Sequence, residues 1–177
     1  YPTEHTDEVL YRSAMVPVLA IILVGPMLGM AARALEFVCE QASTKPMAYT
    51  FYAPQASSQV FQHQIAEAAS KIETAQLHAF RCADTIDADA RAGRFPDRIS
   101  RARARQDTGW AARHCKEALD ILMTLGGAGS FAEASPLQKI WRDLNTAARH
   151  AIVSPGINQE VYGRALLGVE ETATPLV

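Results

Sequence analysis

The side chains best suited to chemistry in this chain cluster between Leu125 and His150, in LGGAGSF and then PLQKIWRDLNTAARH. Ser135-Pro136 suits a helix start, since serine can cap free N–H groups and proline fits the first helical position. On a helix beginning near Pro136, Asp143, Thr146, Ala147 and His150 share one side, while Trp141, Leu144 and Ala148 lie on another. A carboxylate, a hydroxyl and an imidazole would then line one stripe. A surface helix that is polar on one side shows the same pattern without any chemistry, so spacing alone leaves both readings open.

Other constellations are weaker. His5, His63, His78, His114 and His150 are scattered, and no Glu-x-x-His pair supports a di-metal bundle site. The LGGAGS turn lacks the lysine and spacing of a nucleotide fingerprint. Arg98, Arg101 and Arg105 share a helix face, with Arg94 and Arg103 nearby. An anion or nucleic-acid patch is one reading. A solvated face or subunit contact, paired with Asp84, Asp87 and Asp89, is the one preferred, because no aromatic residues are interleaved. Trp110 and His114, one turn apart, are expected to pack rather than ligate, and His63 and His78 to belong to the scaffold.

The elements that must position these groups are helical. The 177 residues suit one domain able to bury a core, and abundant alanine favours closely packed helices. A net charge of −2 argues against nucleic acid as the main partner. Cys39, Cys82 and Cys115 have no metal-site or disulfide-framework spacing and are expected to be reduced thiols of a cytoplasmic protein. The start at Tyr1 suggests a piece of a longer protein.

Residues 1–12 are expected to be a linker, 13–168 a helical bundle and 169–177 a mobile tail. The uncharged run Ser13–Ala32 reaches the length of a membrane span. Pro17, Gly25, Pro26 and Gly29, the lack of an aromatic belt and the helical continuation favour no membrane and a soluble central helix instead. That helix, Pro17 to Ala42, is expected to bend at Gly25-Pro26 and to be the most buried in the fold. An ordered loop over 43–58 leads to a long helix from Gln59 to about Arg91. Asp97 caps an antiparallel partner that runs to Gly126, and after the helix from Pro136 a short one spans about Asn158 to Leu167. The predicted fold is all-α, an up-and-down four-helix bundle with a short extra C-terminal helix.

This order of helices, with Gly126-Gly127 ahead of Trp141-Arg142-Asp143, resembles the C-terminal domain of the acyl-CoA dehydrogenase superfamily. In that family a glutamate near the position of Ala151 serves the dehydrogenases as base, and a glutamine usually stands where Met123 is here. A methyl group cannot take a proton, so the resemblance points away from acyl-CoA dehydrogenation. The run WRDLNTAARHA is similar to that of two-component flavin-dependent monooxygenases of the same fold, the hydroxyphenylacetate, secosteroid-phenol and aromatic polyketide hydroxylases. Those enzymes take reduced FMN or FAD from a flavin reductase, bind molecular oxygen and hydroxylate an aromatic ring through a flavin C4a-hydroperoxide.

By this resemblance His150 is the expected catalytic residue, facing the flavin beside Ala151, with Thr146 orienting it. Imidazole suits the task because it can donate to a peroxide oxygen or accept a phenol proton near neutrality. The family also implies that Lys45 reaches the flavin phosphate of a neighbouring subunit and that the backbone of Gly127, Ala128 and Gly129 touches the cofactor. For the glycines a plain helix stop is the competing reading. Further implications are N-terminal helical and β-barrel domains outside this sequence, a homo-tetramer, and poor flavin binding and little activity for these residues alone. The alternatives are a dehydrogenase-like flavoprotein with its base elsewhere, or a non-catalytic helical interaction module that uses the basic face of Arg98, Arg101 and Arg105.

Overall fold

The computed structural model describes residues 4, 5 and 7–177. Its α-helices are α1 (Met15–Ile21), α2 (Val24–Ala42), α3 (Gln59–Arg91), α4 (Arg98–Gly126), α5 (Pro136–Ala147) and α6 (Pro155–Leu166), and no strand occurs among the described residues. The all-α bundle expected from the sequence is what forms. α3 and α4 make its antiparallel hairpin, each started by a side-chain cap: Ser58 Oγ accepts from Phe61 N at 3.4 Å, and Asp97 Oδ1 from Ser100 N at 2.7 Å.

The first long helix departs from the expectation in two ways. It divides at Ile22-Leu23 instead of bending at Gly25-Pro26. Pro17 and Pro26 each fall in the first turn of their own helix, where a missing N–H costs no hydrogen bond, so the chain breaks ahead of Pro26. Nor is this segment the most buried. Met15–Ala42 is apolar and long enough to cross a membrane by length and composition, yet only 28% of its most apolar window is buried inside the protein. The most buried helix is α4, which packs against α1, α2, α3, α5 and α6.

Small residues give α4 that position. Ala102, Ala111, Ala112, Cys115 and Ala118 are fully or almost fully buried, and Leu119 and Leu122 fill the space between helices. Gly109 marks the tightest approach: a Cβ there would lie 2.8 Å from Asn158 Nδ2 and 3.3 Å from the Pro155 backbone. α6 accordingly begins at Pro155, three residues ahead of its expected start, with proline in the first turn.

Within the chain, the basic face of α4 is engaged by backbone and side-chain acceptors, most fully at Arg105. Arg105 is buried and donates from Nε to Asn158 Oδ1 at 2.9 Å and from its Nη1 to the Leu176 carbonyl. Arg98 donates to the Val169 carbonyl, and Arg101 to that of Pro96 at 2.6 Å while lying over the Phe95 ring. The acids expected to pair with them are used elsewhere, Asp87 by Arg91 and Asp89 by Arg94. Arg98 and Arg105 engage the segment expected to be a mobile tail. Residues 169–177 lie along α4 and α6, with Ala173 and Val177 packed against Ala102, Val161 and Ala165. The tail carbonyl of Leu176 and the side chain of Asn158 thus accept from the buried Arg105 guanidinium, which needs such partners.

Polar pins also join α3 to α4. Asp107, almost fully buried, takes Arg81 Nε at 3.2 Å and lies 2.8 Å from His78 Nδ1, while Trp110 stands edge-on to His114 with ring centres 5.3 Å apart. Glu117 binds Lys71 at 2.8 Å and Arg113 at 2.7 Å. Burial pushes the Glu117 carboxyl up, but the hydrogen bonds from Lys71 and Arg113 outweigh it and bring the pKa down from 4.5 to about 2. A carboxyl depressed on folding stabilises the protein above its unfolded pKa and loses that contribution as pH falls through the folded value. Thermal denaturation should therefore show a flatter loss of Tm between pH 4.5 and about 2 for Glu117→Gln than for the wild type. Parallel curves would mean that this pin contributes nothing to acid sensitivity.

Candidate functional site

His150 stands outside the helix on which its spacing had placed it. α5 ends at Ala147, where Arg149 N and His150 N turn back to the Thr146 and Ala147 carbonyls at 3.1 Å each, three residues behind instead of four, and the Arg149 guanidinium takes the Asn145 carbonyl at 2.6 Å. His150 is extended, with φ −61° and ψ 135°, and opens a short 3-10 turn over Ala151–Val153. The stripe of Asp143, Thr146 and His150 therefore does not form. Asp143 pairs with Lys139 at 2.5 Å and Arg142 at 3.3 Å, which hold its carboxyl below the usual range. Thr146 Oγ1 donates to the Arg142 carbonyl at 2.8 Å, so the hydroxyl expected to orient His150 is spent within α5. Ser135 also differs from its expected role, since it begins α5 without a side-chain cap.

The backbone orients the imidazole instead. Ile152 N donates to His150 Nδ1 at 3.3 Å. An amide N–H can only donate, so Nδ1 is an acceptor and the neutral ring carries its proton on Nε2. His150 is exposed, as is Ala151 beside it, whereas Ile152 and Val153 are buried and anchor the turn in the core. The ring thus offers an N–H donor at the protein surface from a turn rooted on two apolar side chains.

The second group of expected site residues gathers at the C-terminal end of α4. Lys45 Nζ donates to the Gly126 carbonyl at 2.7 Å, and Gln55 Nε2 to the Leu125 carbonyl at 3.3 Å. The loop over 43–58 is ordered, as expected, because these bonds tie it to the last carbonyls of the helix; Gln55 N also binds the Lys45 carbonyl at 2.8 Å. Gly127 stops α4 with φ 72°, a left-handed conformation that favours glycine, and its N–H reaches the Met123 and Thr124 carbonyls at 3.1 Å each. The helix-stop reading is thus realised at Gly127, while Gly127, Ala128 and Gly129 all remain exposed.

Lys45, Gly126, Gly129, Ser130, Ser135 and Leu137 line one groove. Lysine has three ammonium donors, and one is used on Gly126. Ser130 Oγ is buried with no hydrogen-bond partner. A cation with donors to spare beside exposed backbone fits a phosphate or polyol, while the Ser130 hydroxyl lies enclosed beneath the groove. Ser130 was missed in the sequence because an isolated serine after a glycine turn carries no spacing signal.

The two groups do not meet. The His150 turn and Asn158 pack near Gly109, while the Lys45 groove lies at Gly126, about 25 Å farther along α4 at about 1.5 Å per residue. The cysteines belong to neither: Cys82 and Cys115 are buried, and burial pushes both thiols up to about 12. No metal-binding cluster occurs among the described residues.

Residues 21–155 match the family model of the acyl-CoA dehydrogenase C-terminal domain, and the chain belongs to that family. Two relatives are oxygenase components or subunits. The chain is 28% identical over 157 residues to the oxygenase component of p-hydroxyphenylacetate 3-hydroxylase from Acinetobacter baumannii, covering 83% of this chain and 35% of that protein. It is 31% identical over 152 residues to the oxygenase subunit HsaA of a flavin-dependent monooxygenase from Rhodococcus jostii (strain RHA1), covering 84% and 39%.

Among solved structures, XiaF from Streptomyces sp., in complex with FADH2 and glycerol, superposes with a TM-score of 0.92 at 34% identity over 95% of this chain and 42% of that one. The 3-HSA hydroxylase from Rhodococcus sp. RHA1 gives 0.86 at 28% identity, over 98% and 45%. The sequence thus spans less than half the length of these relatives.

Proposed function

We propose that this chain is the C-terminal domain of a reduced-flavin-dependent monooxygenase that hydroxylates a phenolic or polycyclic aromatic substrate, with a separate flavin reductase supplying the flavin. The observation that carries the reading is the His150 turn: an exposed imidazole whose Nδ1 is occupied by the Ile152 N–H, leaving Nε2–H to donate. The named activities of the relatives support the reaction class. Reduced FMN or FAD, when bound, supplies the oxygen-activating chemistry. The chain's own part is to hold a proton at His150 Nε2 toward the reacting oxygen, a donor role that this tautomer favours over that of base. Ala151 offers no carboxylate, which weighs against dehydrogenation. Arg98 and Arg105, which the interaction-module alternative needed at the surface, are bound to the tail.

The Lys45 groove fits the flavin phosphate of a second copy, because it lies too far from His150 to serve the same ring. A homo-tetramer, with cytoplasmic location, belongs to this reading. Its support is the apolar surface left open at Met15, Leu19 and Ile22 and the fully exposed Tyr49 and Phe51 at the tip of the Lys45 loop. Sedimentation of the full-length protein should give a tetramer, and a monomer at micromolar concentration would remove that part.

The test of the site uses full-length protein, chemically reduced flavin and oxygen, with product and hydrogen peroxide both measured. His150→Ala should fold and bind reduced flavin but lose about 10²–10⁴-fold of its hydroxylation, with peroxide released instead. His63→Ala, which alters an exposed residue early in α3, should stay coupled. Lys45→Met should weaken reduced-flavin binding by about 10- to 100-fold, the loss of one hydrogen bond to a charged group. Coupled hydroxylation by His150→Ala returns the histidine to a scaffold role, and unchanged flavin affinity in Lys45→Met leaves that lysine as a helix cap alone.

A further inference from the structure

The turn that carries His150 is held by a polar contact that α5 does not make. Asn158, fully buried in the first turn of α6, donates from Nδ2 to the Ile152 carbonyl at 3.0 Å. Its Oδ1 accepts from Arg105 Nε at 2.9 Å. Both ends of the amide are thereby fixed, because the guanidinium can only donate and the carbonyl can only accept. Arg105 is in turn held by the Leu176 carbonyl, and Gly109 leaves the space that the Asn158 side chain occupies.

Ile152 is thus gripped on both of its backbone groups. Its carbonyl is fixed by Asn158, and its N–H is the donor to His150 Nδ1. A shift of that residue moves the group that sets the imidazole's tautomer and its direction together.

We infer that Asn158, clamped by Arg105, is a positioning residue for His150, setting the ring through the Ile152 backbone. The inference rests on the catalytic reading of His150 given above. Asn158 touches neither substrate nor flavin in this scheme; it acts on the reaction only through the histidine. A loss of placement on the scale of an ångström costs a reaction up to about 100-fold. Its signature is therefore partial uncoupling that vanishes when the histidine is gone.

Asn158→Ala would leave the buried Arg105 without its acceptor and risks misfolding. Asn158→Asp keeps an oxygen for Arg105 while removing the donor to the Ile152 carbonyl, so it is the decisive variant. In full-length protein supplied with chemically reduced flavin, Asn158→Asp should lose about 10- to 100-fold of coupled hydroxylation and release peroxide, with reduced-flavin affinity retained. In the His150→Ala background the same substitution should change coupling by less than about twofold, because residues acting as one unit are not additive. An equal loss in both backgrounds would show a general structural role and overturn the inference. So would wild-type coupling in Asn158→Asp while His150→Ala is uncoupled, an outcome that leaves the catalytic reading intact. Wild-type coupling in His150→Ala would fell both, and is recognised in the single variant alone.

Discussion

α4 can sit at the centre of this bundle only because its surface is small where other elements cross it. At Gly109 the Asn158 side chain and the Pro155 backbone come so near that any side chain would have to displace them. From that contact follow the start of α6, the burial of Asn158 and the course of the 3-10 turn between α5 and α6. The alanines on the rest of α4 do the same for α2 and α3, and the larger Leu119 and Leu122 fill what remains.

Arg105 is the polar counterpart of that close approach. A guanidinium buried among helices is tolerated when it finds acceptors, and here a side-chain amide takes its Nε–H and a tail carbonyl one of its Nη1 donors. The tail is therefore part of the fold's hydrogen-bond arrangement, tied to the same arginine as the His150 turn. The charged groups between α3 and α4 follow the same logic, with Asp107 paired by Arg81 and Glu117 by Lys71 and Arg113.

The distribution of the site residues along α4 has a functional consequence. A proton donor near the middle of the helix and a cationic groove at its C-terminal end are rigidly spaced by the helix itself. In the function proposed above, such spacing suits a cofactor shared between copies, where one chain offers the donor and another the phosphate contact.

The sequence by itself determined the helices, the α3–α4 hairpin with its Asp97 cap, the glycine stop of α4 and the family, because each is written in local periodicity, caps and a contiguous motif. It also singled out His150 and Lys45 by resemblance. Only the tertiary structure decided how they are held. That His150 leaves α5 depends on the tighter turn made by the Arg149 and His150 amides and on the Arg149 side chain at the helix end, and its tautomer depends on the Ile152 amide. The roles of Arg98 and Arg105 and the docking of residues 169–177 depend on hydrogen bonds between residues some seventy positions apart. Helical spacing shows which face a residue shares but not what lies against that face, so an arginine stripe reads as solvated until α6 and the tail are packed on it. The same limit hid Asn158 and Ser130, whose importance comes from burial and from partners distant in the chain.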